Sequence, residues 1–97
     1  MEINVMLERK VDERSGNKDG RAWKIGKYLA TIVSEKMDEK IVFEVADGDN
    51  HRVEVWDALC GKVCKVYFTV RAKLYESRWF NEVRGWGIKE LEPKNAA

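Results

Sequence analysis

Runs of alternating apolar and polar residues, separated by short polar breaks, extend along most of the chain. A period of two is the mark of half-buried strands. In the first run, 3–11, Ile3, Val5 and Leu7 share one face and Asn4, Met6 and Glu8 the other. Residues 14–20, with two glycines beside Asn17 and Asp19, predict a loop, because glycine accepts the positive φ that tight turns need. The second run, 21–33, carries Trp23, Ile25, Tyr28, Leu29, Ile32 and Val33, and its alternation slips near Gly26, which predicts a bulge or bend there. Residues 34–39 are a polar connection. The third run, 40–46, sets Ile41, Phe43 and Val45 on one face and Val42 and Glu44 on the other.

The period then changes. Residues 47–50 (DGDN) end the strand and supply Asp and Asn side chains able to cap a helix. Over 51–60, Val53, Trp56, Leu59 and Cys60 fall on one helical face, and Gly61 stands where a left-handed cap ends a helix. The fourth run, 62–74, predicts a continuous inner face of Cys64, Val66, Phe68, Val70 and Ala72. Its outer face is Lys65, Tyr67, Thr69, Arg71 and Lys73. A tight polar break at 75–78 leads into a fifth run, 79–91, so these last two strands form a hairpin.

Five strands with a helix between the third and fourth is the order of an all-β, OB-fold barrel. A ten-residue helix before the fourth strand argues against an SH3-like barrel. The expected organisation is one OB-fold domain over 1–92 and a short polar tail at 93–97. Ninety-seven residues suffice for one core. Four tryptophans are many for so small an interior. Trp23, Trp56 and Trp86 are assigned to the core, and Trp79, beside a tight turn, is balanced between core and surface.

The net charge of +1 hides an asymmetry: residues 1–61 carry 10 Lys/Arg against 13 Asp/Glu, and residues 62–97 carry 8 against 4. A field of that kind steers a polyanion towards one part of the surface. No apolar run is long enough to span a membrane and no signal-peptide pattern is present, so a cytoplasmic location is expected. Cys60 and Cys64 fit a reducing compartment and read as buried, inert thiols; one histidine leaves structural zinc short of ligands. No nucleophile motif, phosphate-binding glycine motif or carboxylate cluster assembles an active site. The chain is therefore expected to be a binder without a cofactor, not an enzyme.

Over 78–86 the sequence RWFNEVRGW resembles a small family of OB-fold domains found largely in Bacteroidetes and similar in plan to single-stranded DNA-binding proteins. Its last strand runs aromatic, Asn/Asp, Leu/Val, Arg, small residue, Trp. The GRAWK entry to the second strand at 20–24, the IVFE strand at 41–44 and Tyr75 match more loosely, and the likeness extends over essentially the full length. The resemblance implies an OB domain that binds single strands. Two departures stand out. Residues 46–55 differ from the family form, and the end of the chain lacks the acidic tail through which bacterial single-strand-binding proteins recruit repair enzymes, so that network of partners is not expected.

Single strands are held by cations along the phosphates and by rings under the bases. In OB domains the platform is the outer face of strands two and three, flanked by the loops between strands one and two and between four and five. The candidate residues are Lys24, Lys27 and Tyr28 on strand two, Lys65, Tyr67, Arg71 and Lys73 on strand four, Tyr75, Arg78 and Trp79 around the last turn, and Arg84 on strand five. Tyr67 and Tyr75 are the first choices for stacking. The expected partner is single-stranded DNA or RNA. A protein-interaction module, or a homodimer formed through strand edges, is the alternative. Oligosaccharide binding would use the rings without the cations.

Overall fold

In a computed structural model of the chain, residues 1–47 and 51–91 are described. The expected capping residues 48–50 and the tail 93–97 lie outside them. The elements are β1 (Glu2–Lys18), β2 (Arg21–Ile32), β3 (Lys40–Asp47), α1 (Arg52–Ala58), β4 (Val63–Tyr75) and β5 (Arg78–Glu90). The strands form one sheet in the order β1-β2-β3-β5-β4, and β4 returns to β1, so the sheet closes in a ring. All pairings are antiparallel except β3 with β5, which meet in parallel at the single pair Glu44 and Arg84.

The period-two pattern builds the interior. Val5 and Leu7 of β1, Tyr28 and Ala30 of β2, Phe43 and Val45 of β3, and Cys64, Val66 and Phe68 of β4 point inward and are buried. Val53 and Trp56 of α1 fill the remaining space. The Trp56 ring lies 5.4 Å from Tyr28 and 5.6 Å from Phe43, and Phe43 meets Phe68 edge-on at 5.7 Å. Aromatic pairs at these separations gain beyond the area they bury.

Three hydrogen-bonded contacts fix α1 across the end of the ring. The Tyr28 hydroxyl donates to Asp57 Oδ1 at 2.6 Å and lies 3.1 Å from the Val53 carbonyl oxygen. Lys10 Nζ donates to Asp57 Oδ2 at 3.0 Å and also pairs with Glu13. Its ammonium lies 5.7 Å from the centre of the Tyr28 ring. Burial and the neighbouring Asp57 push the Tyr28 hydroxyl's pKa up. Partial burial raises that of Asp57, but hydrogen bonds from Lys10 and Tyr28 outweigh it and hold the carboxyl below its ordinary value.

Several expectations are corrected. Residues 14–18 are strand, and the turn shrinks to Asp19 and Gly20, both with positive φ (53° and 79°), which is the two-residue turn that matches strand twist. The register slips lie at Glu8 and Val11 on β1, and the pairing of Gly26 is regular. Gly26 is needed for a different reason: a Cβ there would sit 2.9 Å from the Tyr28 ring. Tyr28 itself is not on the outer face but wholly buried, because β2 turns Gly26, Tyr28 and Ala30 inward.

Trp56 is core as expected, whereas Trp23 and Trp86 are exposed. The helix is shorter than the 51–60 expected, and its N-cap, His51, makes no side-chain capping bond. Asp47 Oδ1 accepts from the Val53 amide at 3.4 Å instead. The inner face of β4 ends at Phe68: Val70 and Ala72 are exposed, since β4 there has left β1 behind. Cys64 is buried and Cys60 half-buried, both as free thiols whose pKa burial raises. No described helix is long and apolar enough to cross a membrane.

Two measurements test this packing. A Cβ on Gly85 would stand 2.6 Å from Trp56 ring carbons, so Gly85→Ala should destabilise the fold by about 1–3 kcal/mol in urea unfolding. Asp57 is the second test. Its stabilising contribution is complete above its ordinary value of 3.8 and is lost as pH falls through the lower folded value. Asp57→Asn should therefore lower stability at neutral pH and flatten, without abolishing, the acid limb of the stability–pH curve, since Glu8 and Glu82 are depressed as well. An acid limb identical to the parent's would remove Asp57 from this role.

Candidate functional site

The strands differ in length, and this makes the site. β3 has 8 residues, while β1 has 17 and β4 and β5 have 13 each. β4 pairs with β1 only over 63–67, and β5 meets β3 only at Arg84, opposite Thr69, so residues 70–75 run on with β5 as a two-stranded arm. At about 3.3 Å per residue those six residues reach roughly 20 Å. The β1–β2 hairpin likewise runs past the last β2–β3 pair, Lys24 with Asp47, to the turn at Asp19. The radius of gyration, 14.6 Å, accordingly exceeds the roughly 12.5 Å of a compact chain of this length.

Between the two arms, over the outer face of β2 and β3, lies a groove of about 520 Å³. Ile25 and Lys27 of β2 and Val42 and Glu44 of β3 contribute to its floor. Asp12 and Arg14 stand on the β1 side, and Lys73, Phe80, Glu82 and Arg84 on the arm. Its lining holds four cations, Arg14, Lys27, Lys73 and Arg84, against Asp12, Glu44 and Glu82. Arg84 Nε donates to Glu82 Oε1 at 2.9 Å, and Arg14 Nε lies 3.6 Å from Asp12 Oδ2. The Arg84 hydrogen bond holds the Glu82 carboxyl below its usual range. Among the described residues, Lys27 and Lys73 make no ion pair.

A smaller cleft of about 210 Å³ continues from the groove, sharing Glu44 and Arg84 with it. It adds Arg52 from α1, Thr69 and Arg71 from β4, and Trp86 from β5. The pairing of β4 and β5 slips between Tyr67 and Phe68, leaving Trp86 as the extra residue of a bulge. The Trp86 ring is 48% exposed and rests at 5.4 Å on Tyr67, which in turn covers Gly87.

Of the residues chosen from the sequence, Lys27, Lys73 and Arg84 meet in the groove, and Arg71 joins them through the cleft. Tyr28 is in the core. Lys24 shares its strand parity, turns to the opposite side from Lys27 and lines a separate hollow beside Trp23. Lys65, opposite Lys89, is on the wall away from the groove. Tyr67 is half-buried and braces Trp86 instead of offering a free face.

The last turn closes at Glu76 and Ser77, both left-handed (φ 48° and 66°). Side chains alternate along a strand. Tyr75 and Arg78 therefore share the face of Lys73 and Phe80, whereas Trp79 pairs with Leu74 on the opposite face. Tyr75 is 61% and Trp79 70% exposed.

Ile25, Val42, Phe80 and Arg52 were not among the sequence candidates. For Ile25 and Val42 the signal was present: they lie on the strand faces opposite Tyr28 and Phe43. Arg52 and Phe80 depend on how α1 and the arm fold back, which alternation does not encode.

No family model, curated protein or solved structure matches this chain.

Proposed function

We propose that the chain is an OB-fold domain that binds single-stranded nucleic acid, DNA in the first instance, along the groove between its two hairpin arms. The strand order 1-2-3-5-4 around the ring, with a helix entering between β3 and β4, supports the OB reading. One observation carries the functional reading. The outer face of β2 and β3, flanked by two overhanging arms, brings Arg14, Lys27, Lys73 and Arg84 together with the exposed Phe80 ring. Cations beside ring faces supply both the phosphate and the base term of single-strand binding.

Three carboxylates in the same groove limit the electrostatic part. If only the unpaired Lys27 and Lys73 meet phosphates, log K against log salt should fall with a slope of roughly −1.4, and with all four cations about −2.8. Most of the affinity then rests on stacking, at about 1–3 kcal/mol per base.

A second reading, protein association, is favoured by the other face of the arm, where Val70, Leu74 and Trp79 are all exposed. The two faces separate the hypotheses. Anisotropy of a labelled dT12 should show weaker binding for Phe80→Ala and Tyr75→Ala, by a factor of at least about five each. Trp79→Ala should stay near the parent. The doubly reversed Lys27→Glu, Lys73→Glu chain should lose binding and salt slope together, with its far-ultraviolet spectrum unchanged. If dT12 does not bind the parent at low salt, the strand reading fails. If Trp79→Ala alone then abolishes a concentration-dependent self-association, the arm is a protein interface.

A further inference from the structure

The groove and its smaller continuation differ in the kind of charge they hold. In the lining of the cleft, Arg52, Arg71 and Arg84 stand against one carboxylate, Glu44, while Glu82 of the groove pairs with Arg84. All three cations are arginines, coming from three successive elements, α1, β4 and β5. A guanidinium presents a planar fork that meets phosphate oxygens in pairs, which an ammonium does not. Arg84 is held through Nε by Glu82, and its two terminal nitrogens make no hydrogen bond among the described residues. Among the described residues, Arg52 and Arg71 make no ion pair.

The cleft wall is completed by Thr69 and by Trp86, whose ring Tyr67 backs. A ring braced from behind and open in front is a ready stacking surface. The volume, about 210 Å³, equals roughly seven waters of liquid, enough for a phosphate group and the edge of a base.

We infer that this cleft anchors one phosphate of a bound nucleotide chain between Arg52, Arg71 and Arg84, with the adjoining base on Trp86. The inference rests on the strand-binding reading and extends it: one nucleotide is held in a fixed place, and the groove carries its neighbours past Arg84 towards Phe80 and Tyr75. The strand is thereby given a register on the protein.

The test is a backbone and indole amide NMR titration with three probes: dT12, thymidine monophosphate and thymidine. Thymidine monophosphate should shift the Trp86 indole N–H and the Thr69 and Gly85 amides saturably. Thymidine, which keeps the base and lacks the phosphate, should bind at least roughly tenfold more weakly, the worth of one charged hydrogen bond. Arg52→Ala should cost a similar factor for both phosphate-bearing probes, and Arg52→Lys should restore only part of it because the fork is lost.

Equal binding of thymidine and its monophosphate overturns the phosphate anchor. If dT12 shifts the groove amides of Lys27 and Phe80 but leaves Trp86 and Thr69 unmoved, the cleft inference fails and the strand reading stands. If dT12 shifts nothing, both fail. Matching far-ultraviolet spectra and melting points for Arg52→Ala and the parent keep a folding defect from imitating either result.

Discussion

The Trp56 ring inside the sheet is the contact on which the remainder of the structure depends. Hydrogen bonds do not close this ring strongly everywhere: β3 and β5 share only the pair of Glu44 with Arg84. What holds that seam is packing. Trp56 reaches Tyr28 and Phe43 on one side and presses against the Cα of Gly85 on the other, one residue beyond the seam. A side chain at Gly85 would occupy the space of the indole, so the glycine and the tryptophan specify each other. The Tyr28 hydroxyl bonded to Asp57 then fixes the rotation of α1, a helix of seven residues that is too short to be stable alone.

The same contact bears on the surface. Arg84 precedes Gly85 and Trp86 follows it, so the backbone that touches Trp56 from inside also carries Arg84, shared by groove and cleft, and Trp86 of the cleft wall. Arg52 begins the helix that carries Trp56. The position of the cleft is therefore set by the core, and a change in Trp56 packing would move Arg52, Arg84 and Trp86 together. Binding groups built on packed elements are held more closely than groups on loops.

Most of the fold was legible because alternation is a local property. Val5 with Leu7, Phe43 with Val45, and Cys64 with Val66 announce their inward face within a few residues, and the change of period at 51 announces the helix. Part of the failures arises because alternation says which residues share a face but not where the neighbouring strand ends or a bulge falls. Val70 continues the inward phase of Phe68, yet it is exposed because β1 no longer lies opposite. Trp86 was assigned to the core for its size. A bulge at the partner of Tyr67 turns it outward. Tyr28 was placed outward together with its neighbour Lys27, which a period of two does not allow, and Gly26 and Ala30, both small and in phase with Tyr28, mark the face on which a large buried ring has room. The site was legible only where strand phase decides it, as for Lys27 and Lys73. The meeting of Arg52 with Arg71 and Arg84 joins three elements and has no local signature.

On the proposed reading, the near balance of charge on this face means that binding relies on prepositioned groups more than on a strong field. Two of the three carboxylates that lower the net charge of the groove also stand against a cation: Glu82 holds Arg84 by a hydrogen bond, and Asp12 lies beside Arg14. A long side chain loses rotamer freedom worth up to about 2 kcal/mol when it is ordered. Where a neighbour has already imposed that order, less remains to be lost on binding. Placing a guanidinium by an ion pair thus trades long-range attraction, which salt screens, for short-range geometry, which it does not. On the proposed reading, the affinity of this surface comes from rings and from a few arginines held in place. The even charge of the chain then favours a defined footprint on the strand over loose attachment to any polyanion.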